Sequence, residues 1–154
     1  MSLKLVTSPA VSPPGVPADG QTVFELPVRV YWEDTDAGGI VFYANYLKFF
    51  ERCRTEWMRQ VGHDQSQLAA DAGIAFMARK ASCEYLKPAR LDDQLTIGLE
   101  VEKLTRVRVV FRQHVRRGAE ELVTGTVEIA CVDIARMVPA AIPEFLHSKL
   151  EALK

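Results

Sequence analysis

Residues 30–52 read VYWEDTDAGGIVFYANYLKFFER, and this stretch decides the fold. It opens as the end of a strand, passes through an acidic turn and closes in a helix. The turn holds Glu33, Asp34 and Asp36, and Gly38 and Gly39 follow at once. This order puts carboxylates beside a helix N-terminus, where free backbone N–H groups and the positive end of the helix dipole also point. A candidate site is therefore expected in this turn.

The helix is predicted from an apolar stripe that begins at Tyr46 and ends at Val61. Its members recur mostly at steps of three and four, which is typical of one buried helix face. They are Tyr46, Phe49, Phe50, Cys53, Trp57 and Val61. Gly62 follows as a natural helix stop. Glu51 lies at the border of the stripe, and periodicity alone favours a solvated carboxylate there.

Five strands are predicted around this helix. The first alternates from Phe24 to Glu33, with Trp32 among its inward residues and Pro27 on the outer set, which indicates an edge position or a bulge. The others are predicted over 74–86, 95–101, 107–116 and 123–135, and a C-terminal helix over 143–153. The third and fourth strands are joined by about four residues, so they must be antiparallel neighbours. The fold class is therefore α+β.

Length and composition limit the function. The chain has 154 residues, 48% of them hydrophobic, and a formal charge of −1. Residues 1–20 are rich in Pro, Ser and Gly and are predicted to be a flexible extension, with one domain over residues 21–154. The charge gives no reason to expect nucleic acid, and no apolar run is long enough to span a bilayer.

The cysteines and the N-terminus favour the cytoplasm. Met1 is followed by no apolar core typical of a secretory signal. Cys53, Cys83 and Cys131 are an odd number inside apolar patterns, which favours reduced, buried thiols. No pair of cysteines has metal-site spacing, and the sequence predicts neither a metal nor a cofactor. His63, His114 and His147 are scattered on polar positions and are predicted to be surface residues.

The stretch from Tyr31 to Glu56 closely resembles the signature of the hotdog-fold acyl-CoA thioesterases. The subgroup it is similar to is the 4-hydroxybenzoyl-CoA thioesterase family, which includes the thioesterase associated with the Tol-Pal system. A weaker similarity covers residues 84–93, and the resemblance as a whole runs from Phe24 to about Arg136. It implies a hotdog fold, in which a long central helix packs on a five-stranded antiparallel sheet. It also implies homo-oligomers, either dimers with active sites at their interface or tetramers built from two dimers.

The resemblance assigns the catalytic residues. The second Asp of the family's Asp-x-Asp pattern corresponds to Asp36, as a nucleophile or as the general base for water. From the residue type alone, a helix-capping role for Asp36 is favoured over a catalytic one. Tyr43 matches the position whose backbone N–H polarises the thioester carbonyl. Some Tol-Pal-type relatives carry a histidine there, so tyrosine favours the benzoyl-CoA branch, and it is also compatible with core packing.

Substrate-binding residues are predicted in three places. Gly38 and Gly39 would let the backbone approach the thioester, although both also suit a simple turn. Glu51 is included among the substrate contacts. Arg116 and Arg117 stand at the end of a basic run, which favours a solvated strand face, and contacts with the CoA phosphates are the second interpretation.

The sequence thus predicts hydrolysis of a short-chain or aromatic acyl-CoA thioester. Phe42, Tyr46 and Phe49 lie near the helix start, and an aromatic-lined approach to Asp36 would suit a compact acyl group. The alternative is a non-hydrolytic acyl-CoA-binding protein associated with the cell envelope. A hotdog dehydratase would carry a histidine at the helix start, which this stretch lacks.

Overall fold

The computed structural model describes residues 23–154, so the predicted extension over residues 1–20 lies outside the described residues and stays a prediction. The strands are β1 (Phe24–Arg29), β2 (Ile74–Tyr85), β3 (Gln94–Leu104), β4 (Arg108–Arg117), β5 (Glu120–Asp133) and the two-residue β6 (Val138–Pro139). The helices are α1 (Asn45–Gln60), α2 (Gln65–Ala72) and α3 (Glu144–Glu151).

The sheet is antiparallel, with strand order β1-β3-β4-β5-β2, and β6 extends it beside the end of β5. The predicted pairing of the third and fourth strands is confirmed. β1 lies at one edge of the sheet, which accounts for Pro27 in its middle, since proline cannot donate to a neighbouring strand. β2 forms the opposite edge and leaves most of its residues exposed.

Helix α1 lies against the inner face of the sheet. It begins and ends one residue earlier than the apolar stripe predicted. Its buried side chains include Phe49 and Phe50, both fully inaccessible to solvent, together with Cys53 and Trp57. Burial of each large apolar side chain contributes about 1.5–3 kcal/mol, so this stripe anchors the helix. Register shifts in β2, in β3 and between β4 and β5 mark irregularities of the kind that bend a sheet around a helix.

The prediction that the first strand continues to Glu33 was wrong. β1 ends at Arg29, and residues 32–34 form a single 3-10 turn. The Asp34 carboxylate accepts a hydrogen bond from the Tyr31 N–H at 2.8 Å, and this bond closes the turn. Trp32 is therefore 80% exposed instead of facing the core. Alternation in the sequence cannot reveal such a turn, because the bond depends on a side chain three residues away.

The segment that follows β6 closes onto the middle of the sheet. Helix α3 buries Leu146 and Leu150 against the core. Beyond it, the Leu153 carbonyl accepts a hydrogen bond from the Val101 N–H at 2.9 Å. β1 pairs with β3 only as far as Leu99, so the Val101 N–H has no partner on β1 and is satisfied by the Leu153 carbonyl instead.

Candidate active site

Asp34 organises the turn that precedes the site. Its side chain is held by Tyr31, and its backbone carbonyl accepts hydrogen bonds from the Phe42 N–H and from Asn45 Nδ2, both at 2.9 Å. Asp34 is only 5% exposed and Asn45 only 8%. The contacts join the beginning and the end of the loop between β1 and α1, so the loop is fixed at both ends.

Asp36 lies at the tip of a small hairpin inside this loop. The Asp36 N–H donates to the Ile40 carbonyl at 2.9 Å, and the Gly39 N–H donates to the Asp36 carbonyl at 3.0 Å. The Gly38 N–H donates to Oδ1 of the Asp36 carboxylate at 2.8 Å. Oδ2 accepts no hydrogen bond from residues 23–154, and the side chain is exposed. One carboxylate oxygen is thus fixed by the backbone, while the other has no hydrogen bond within residues 23–154.

The two glycines have different physical roles beside Asp36. Gly39 has a φ of +75°, a conformation that costs little only for glycine. A Cβ on Gly38 would lie 3.1 Å from Oδ1 of Asp36, so a side chain there would press on the carboxylate. Both glycines therefore keep the hairpin and its carboxylate in place.

A second segment, residues 86–93, supports the hairpin from one side. The Val41 N–H donates to the Ala89 carbonyl at 2.9 Å, and Ile40 forms an isolated antiparallel bridge with Arg90. The buried Tyr46 hydroxyl accepts a hydrogen bond from the Ala89 N–H at 3.1 Å. Burial raises the pKa of Tyr46, so the hydroxyl keeps its proton while its oxygen accepts this bond.

Tyr43 lies where the loop enters α1. Its side chain is 63% exposed, and its backbone N–H donates to no residue within 23–154. The Tyr43 carbonyl accepts a hydrogen bond from the Tyr85 hydroxyl at 3.0 Å, so a residue of β2 fixes this peptide. Ala44 precedes α1 and offers no side-chain cap. The start of the helix therefore presents an unused N–H group near the loop that carries Asp36.

The other predicted contacts lie apart from this loop. Glu51 is an exposed residue of α1 whose carboxylate accepts from the Thr55 hydroxyl. Arg117 donates to Asp93 at 2.7 Å and to Glu120 at 2.5 Å, and so braces the 86–93 segment. Among the described residues, Arg116 forms one long ion pair, with Glu121 at 3.7 Å. The structure therefore brings Asp36, Gly38, Gly39 and Tyr43 into one loop and leaves Glu51, Arg116 and Arg117 outside it.

Sequence reasoning missed the residues that hold the loop. Asn45 and Tyr85 both contact its backbone, and nothing in their spacing indicates it, since their partners are 11 and 42 residues away. Asp34 has a structural role that its place in an acidic turn does not reveal. A polar residue at the first turn of an apolar helix was the one available signal for Asn45.

Thiol and metal chemistry find little support in the described part of the chain. Burial raises the pKa of Cys53 to about 12, which keeps the thiol protonated and unreactive. Burial also raises the pKa of Cys83 and Cys131. Within residues 23–154, no three His, Cys, Asp or Glu side chains are grouped to hold a metal ion. No helix there is long and apolar enough to cross a bilayer.

Comparison with known proteins identifies the family. The model of the thioesterase superfamily matches residues 38–124. The acyl-CoA thioesterase YbgC of Haemophilus influenzae is 40% identical over 131 residues, which cover 85% of this chain and 96% of that protein. The acyl-CoA thioester hydrolase YbgC of Escherichia coli O6:H1 is 44% identical over 131 residues, or 84% and 97% of the two chains.

Solved structures agree with this assignment. A probable thioesterase from Bartonella henselae has a TM-score of 0.75 and 35% identity, and the match covers 79% of this chain and 99% of that one. A 1,4-dihydroxy-2-naphthoyl-CoA thioesterase from Synechocystis shares the fold, with a TM-score of 0.79, 18% identity and coverage of 83% and 95%. The resemblance and the fold class predicted from the sequence are confirmed. The chain belongs to the thioesterase superfamily and is a thioester hydrolase with the hotdog fold.

Proposed function

We propose that this protein hydrolyses a short-chain or aromatic acyl-CoA thioester to the free acid and CoA, with Asp36 as the reacting carboxylate. The observation that carries the proposal is the pairing of a half-free carboxylate with an unused helix-start N–H on one loop. The acyl-CoA assignment is supported by relatives at 40% and 44% identity that are named acyl-CoA thioesterases or thioester hydrolases.

The two groups have complementary tasks. The Tyr43 N–H would donate to the thioester oxygen, where negative charge develops as the carbonyl carbon becomes tetrahedral. The partial positive charge at the N-terminus of α1 would stabilise the same oxygen. The Gly38 N–H fixes Oδ1 of Asp36, which leaves Oδ2 to face the reaction.

Asp36 can act in two ways. As a nucleophile, Oδ2 would attack the carbonyl carbon, the C–S bond would break, CoA would leave as the thiolate, and water would then hydrolyse the mixed anhydride. As a general base, Asp36 would take a proton from water while the water oxygen attacks the carbonyl carbon; the C–S bond would then break, and the leaving thiolate would take that proton and depart as the thiol. Both routes consume one water and release the acid and CoA.

The compact-substrate proposal rests on a cluster of exposed rings at the helix start. Phe42 and Tyr43 have ring centroids 4.7 Å apart, and Tyr85 lies 6.4 Å from Tyr43. Tyr46 and Phe49 are buried at 3% and 0% exposure, so they belong to the core and not to this lining. Three rings beside the loop would pack well against a flat aroyl group or a short chain.

A panel of CoA thioesters tests both parts of the proposal. We expect kcat/KM to be higher for benzoyl-CoA and short-chain substrates than for palmitoyl-CoA. Efficiency that rises steadily with chain length would contradict the compact pocket, since each buried methylene adds about 0.8 kcal/mol of binding in a long tunnel. Tight binding of these thioesters without turnover would favour the non-hydrolytic alternative instead.

We propose that Arg116, in preference to Arg117, binds the phosphates of CoA. Arg117 is already held by two carboxylates, whereas Arg116 forms a single long ion pair within residues 23–154. An Arg116→Ala variant should raise KM and leave kcat unchanged, as expected when a group binds the ground state and the transition state equally. An unchanged KM would exclude Arg116 from the CoA contacts.

We also propose a homo-oligomer, a dimer or a tetramer of two dimers, in the cytoplasm. β2 is a long exposed edge strand, and Met77, Tyr85 and Leu86 leave apolar surface there at 37%, 48% and 48% exposure. Unpaired edges of this kind are usually covered. The three free thiols favour a reducing compartment. Light scattering that finds a stable, active monomer would contradict the oligomer.

A further inference from the structure

A cavity of about 200 Å³ lies between α1, α3 and the inner face of the sheet. Its walls are mainly apolar and include Trp57, Met58, Phe76, Phe111, Leu146 and Leu150. An engineered apolar cavity of about 150 Å³ accepts benzene, so this one has room for a small apolar molecule. None of the residues that form the Asp36 loop lines it.

One cation faces this cavity. Arg54 is the only basic residue among the side chains that line it in the described part of the chain. Its Nη1 donates to Oε1 of Gln113 at 2.8 Å, and Gln113 is fully buried. Gln113 is itself fixed, because its Nε2 donates to the Phe50 carbonyl at 3.1 Å. The guanidinium is therefore held in one orientation by a neutral partner.

Arg54 has no carboxylate partner within residues 23–154. None of the ion pairs there includes it. Glu51 lines the same cavity, but its carboxylate accepts from the Thr55 hydroxyl on its own helix. Burial lowers the pKa of Arg54 and the nearby Glu51 opposes this effect. The guanidinium is partly buried and hydrogen-bonds to a neutral side chain, so within residues 23–154 the charge of Glu51 offsets its desolvation only in part.

We infer that this cavity is a binding site for an apolar carboxylate, whose charged group pairs with Arg54 and whose tail lies among the aromatic and aliphatic walls. Nε and Nη2 of Arg54 have no acceptor in residues 23–154, and together they form an edge that matches the two oxygens of a carboxylate. A pocket with apolar walls and one fixed polar group is typical of small-ligand sites. The free acid from the proposed reaction is of this chemical class, but the inference does not depend on hydrolysis at Asp36.

Calorimetric titration of the 154-residue protein with octanoate and with benzoate tests the site. We expect saturable, one-to-one binding of at least one of them. Octanol and octylamine have the same chain length but offer no charged acceptor to Arg54. Their affinity should therefore be lower than that of octanoate by about tenfold or more. Octanol that binds as well as octanoate, or no carboxylate binding at all, would overturn the inference.

Three variants test whether octanoate binds beside Arg54. Arg54→Met should weaken octanoate binding about tenfold or more. Arg59→Met is the matched control on the same helix, because Arg59 is exposed and pairs with Glu56 outside the cavity, and it should bind normally. Ala78→Phe narrows the cavity from its exposed rim and keeps the Arg54–Gln113 pair intact. It should also weaken octanoate binding. If Arg54→Met does not fold, Ala78→Phe alone tests whether octanoate occupies the cavity.

Asp36→Asn distinguishes the cavity from the reacting centre. We expect this variant to lose hydrolysis and to bind octanoate as the wild type does. Loss of octanoate binding in Asp36→Asn, together with normal binding in Ala78→Phe, would place the carboxylate at the Asp36 loop and refute the cavity site. A protein that hydrolyses no thioester but binds octanoate through Arg54 would refute the proposed function alone.

Discussion

The turn at Tyr31–Asp34 and the hairpin at Asp36–Val41 each hold an aspartate, and the two aspartates have opposite environments. Asp34 is buried, and its side chain and carbonyl together accept three hydrogen bonds. Asp36 is exposed, and its carboxylate accepts one. Two residues of separation thus divide a structural acid from the acid that we propose as the reacting group, because the fold uses the acceptors of Asp34 and leaves one oxygen of Asp36 without a hydrogen bond in residues 23–154.

The largest effect is expected from Asp36→Asn. Asparagine keeps an oxygen for the Gly38 N–H but has no negative charge for attack or for proton removal. We expect kcat to fall by about 10²–10⁴-fold, the range associated with loss of a general acid or base, with an unchanged Tm. Steady-state kinetics and thermal unfolding of the same preparation measure both. An active Asp36→Asn protein with a wild-type Tm would remove Asp36 from the mechanism.

Asp34→Ala should mainly lower stability, whereas Asp36→Asn should mainly lower kcat. It removes the carboxylate that holds the Tyr31 N–H and should lower the free energy of unfolding by about 1.5–3 kcal/mol, the contribution of a hydrogen bond to a charged group. Denaturant unfolding measures this change. Glu33→Ala is the control, since Glu33 is exposed in the same turn and should change stability little. Equal losses in both variants would show that Asp34 has no special structural role.

His114 extends the comparison to a buried polar group without a partner in the described part of the chain. Its ring lies over Gly98 in the neighbouring strand, where a Cβ would come within 2.0 Å of it, and its Nε2 is buried and unpaired. Burial, and secondarily Arg116, lowers the pKa of His114 to about 4. The prediction of a surface histidine was wrong for His114, because the flat face of a glycine gives the ring a place to pack.

The pH dependence follows from that lowered pKa. The unfolded chain binds a proton near pH 6.5 and the folded protein near pH 4, so stability is full above the unfolded pKa and falls as the pH drops between the two values. After allowance for partial solvent screening, the loss attributable to His114 should be about 1–2 kcal/mol. His114→Leu should show a smaller fall in the free energy of unfolding over this interval. Parallel pH profiles for the two proteins would contradict this assignment.

Gly39→Ala should have the smallest effect. A left-handed φ costs a non-glycine residue about 1–2 kcal/mol, and the Gly39 φ of +75° falls in that region. We expect a modest drop in Tm and a partial loss of kcat as the hairpin shifts Asp36. A Gly73→Ala variant, at the left-handed C-cap of α2, provides a matched loss of stability away from the site. If both variants lose kcat equally, the hairpin has no specific role in positioning Asp36.

Local patterns predicted the elements well, and long-range contacts account for what they missed. The limits of α1 follow from the spacing of its apolar residues, and the pairing of β3 with β4 follows from a short connection. The partial burial of Arg54 does not follow from any local pattern, because its partner Gln113 is 59 residues away on β4. The resemblance supplied Asp36 as a candidate, whereas its free oxygen depends on which N–H groups the folded hairpin brings near it.

The hydrogen bond from Val101 to Leu153 has a consequence for synthesis of the protein on the ribosome. The Val101 N–H lies past the end of the β1–β3 pairing, and its acceptor follows helix α3 along the chain. β1, α1 and β3 are all synthesised before this acceptor. Closure of that part of the sheet must therefore wait until Leu153 has left the ribosome, which makes this region late to be protected during co-translational folding.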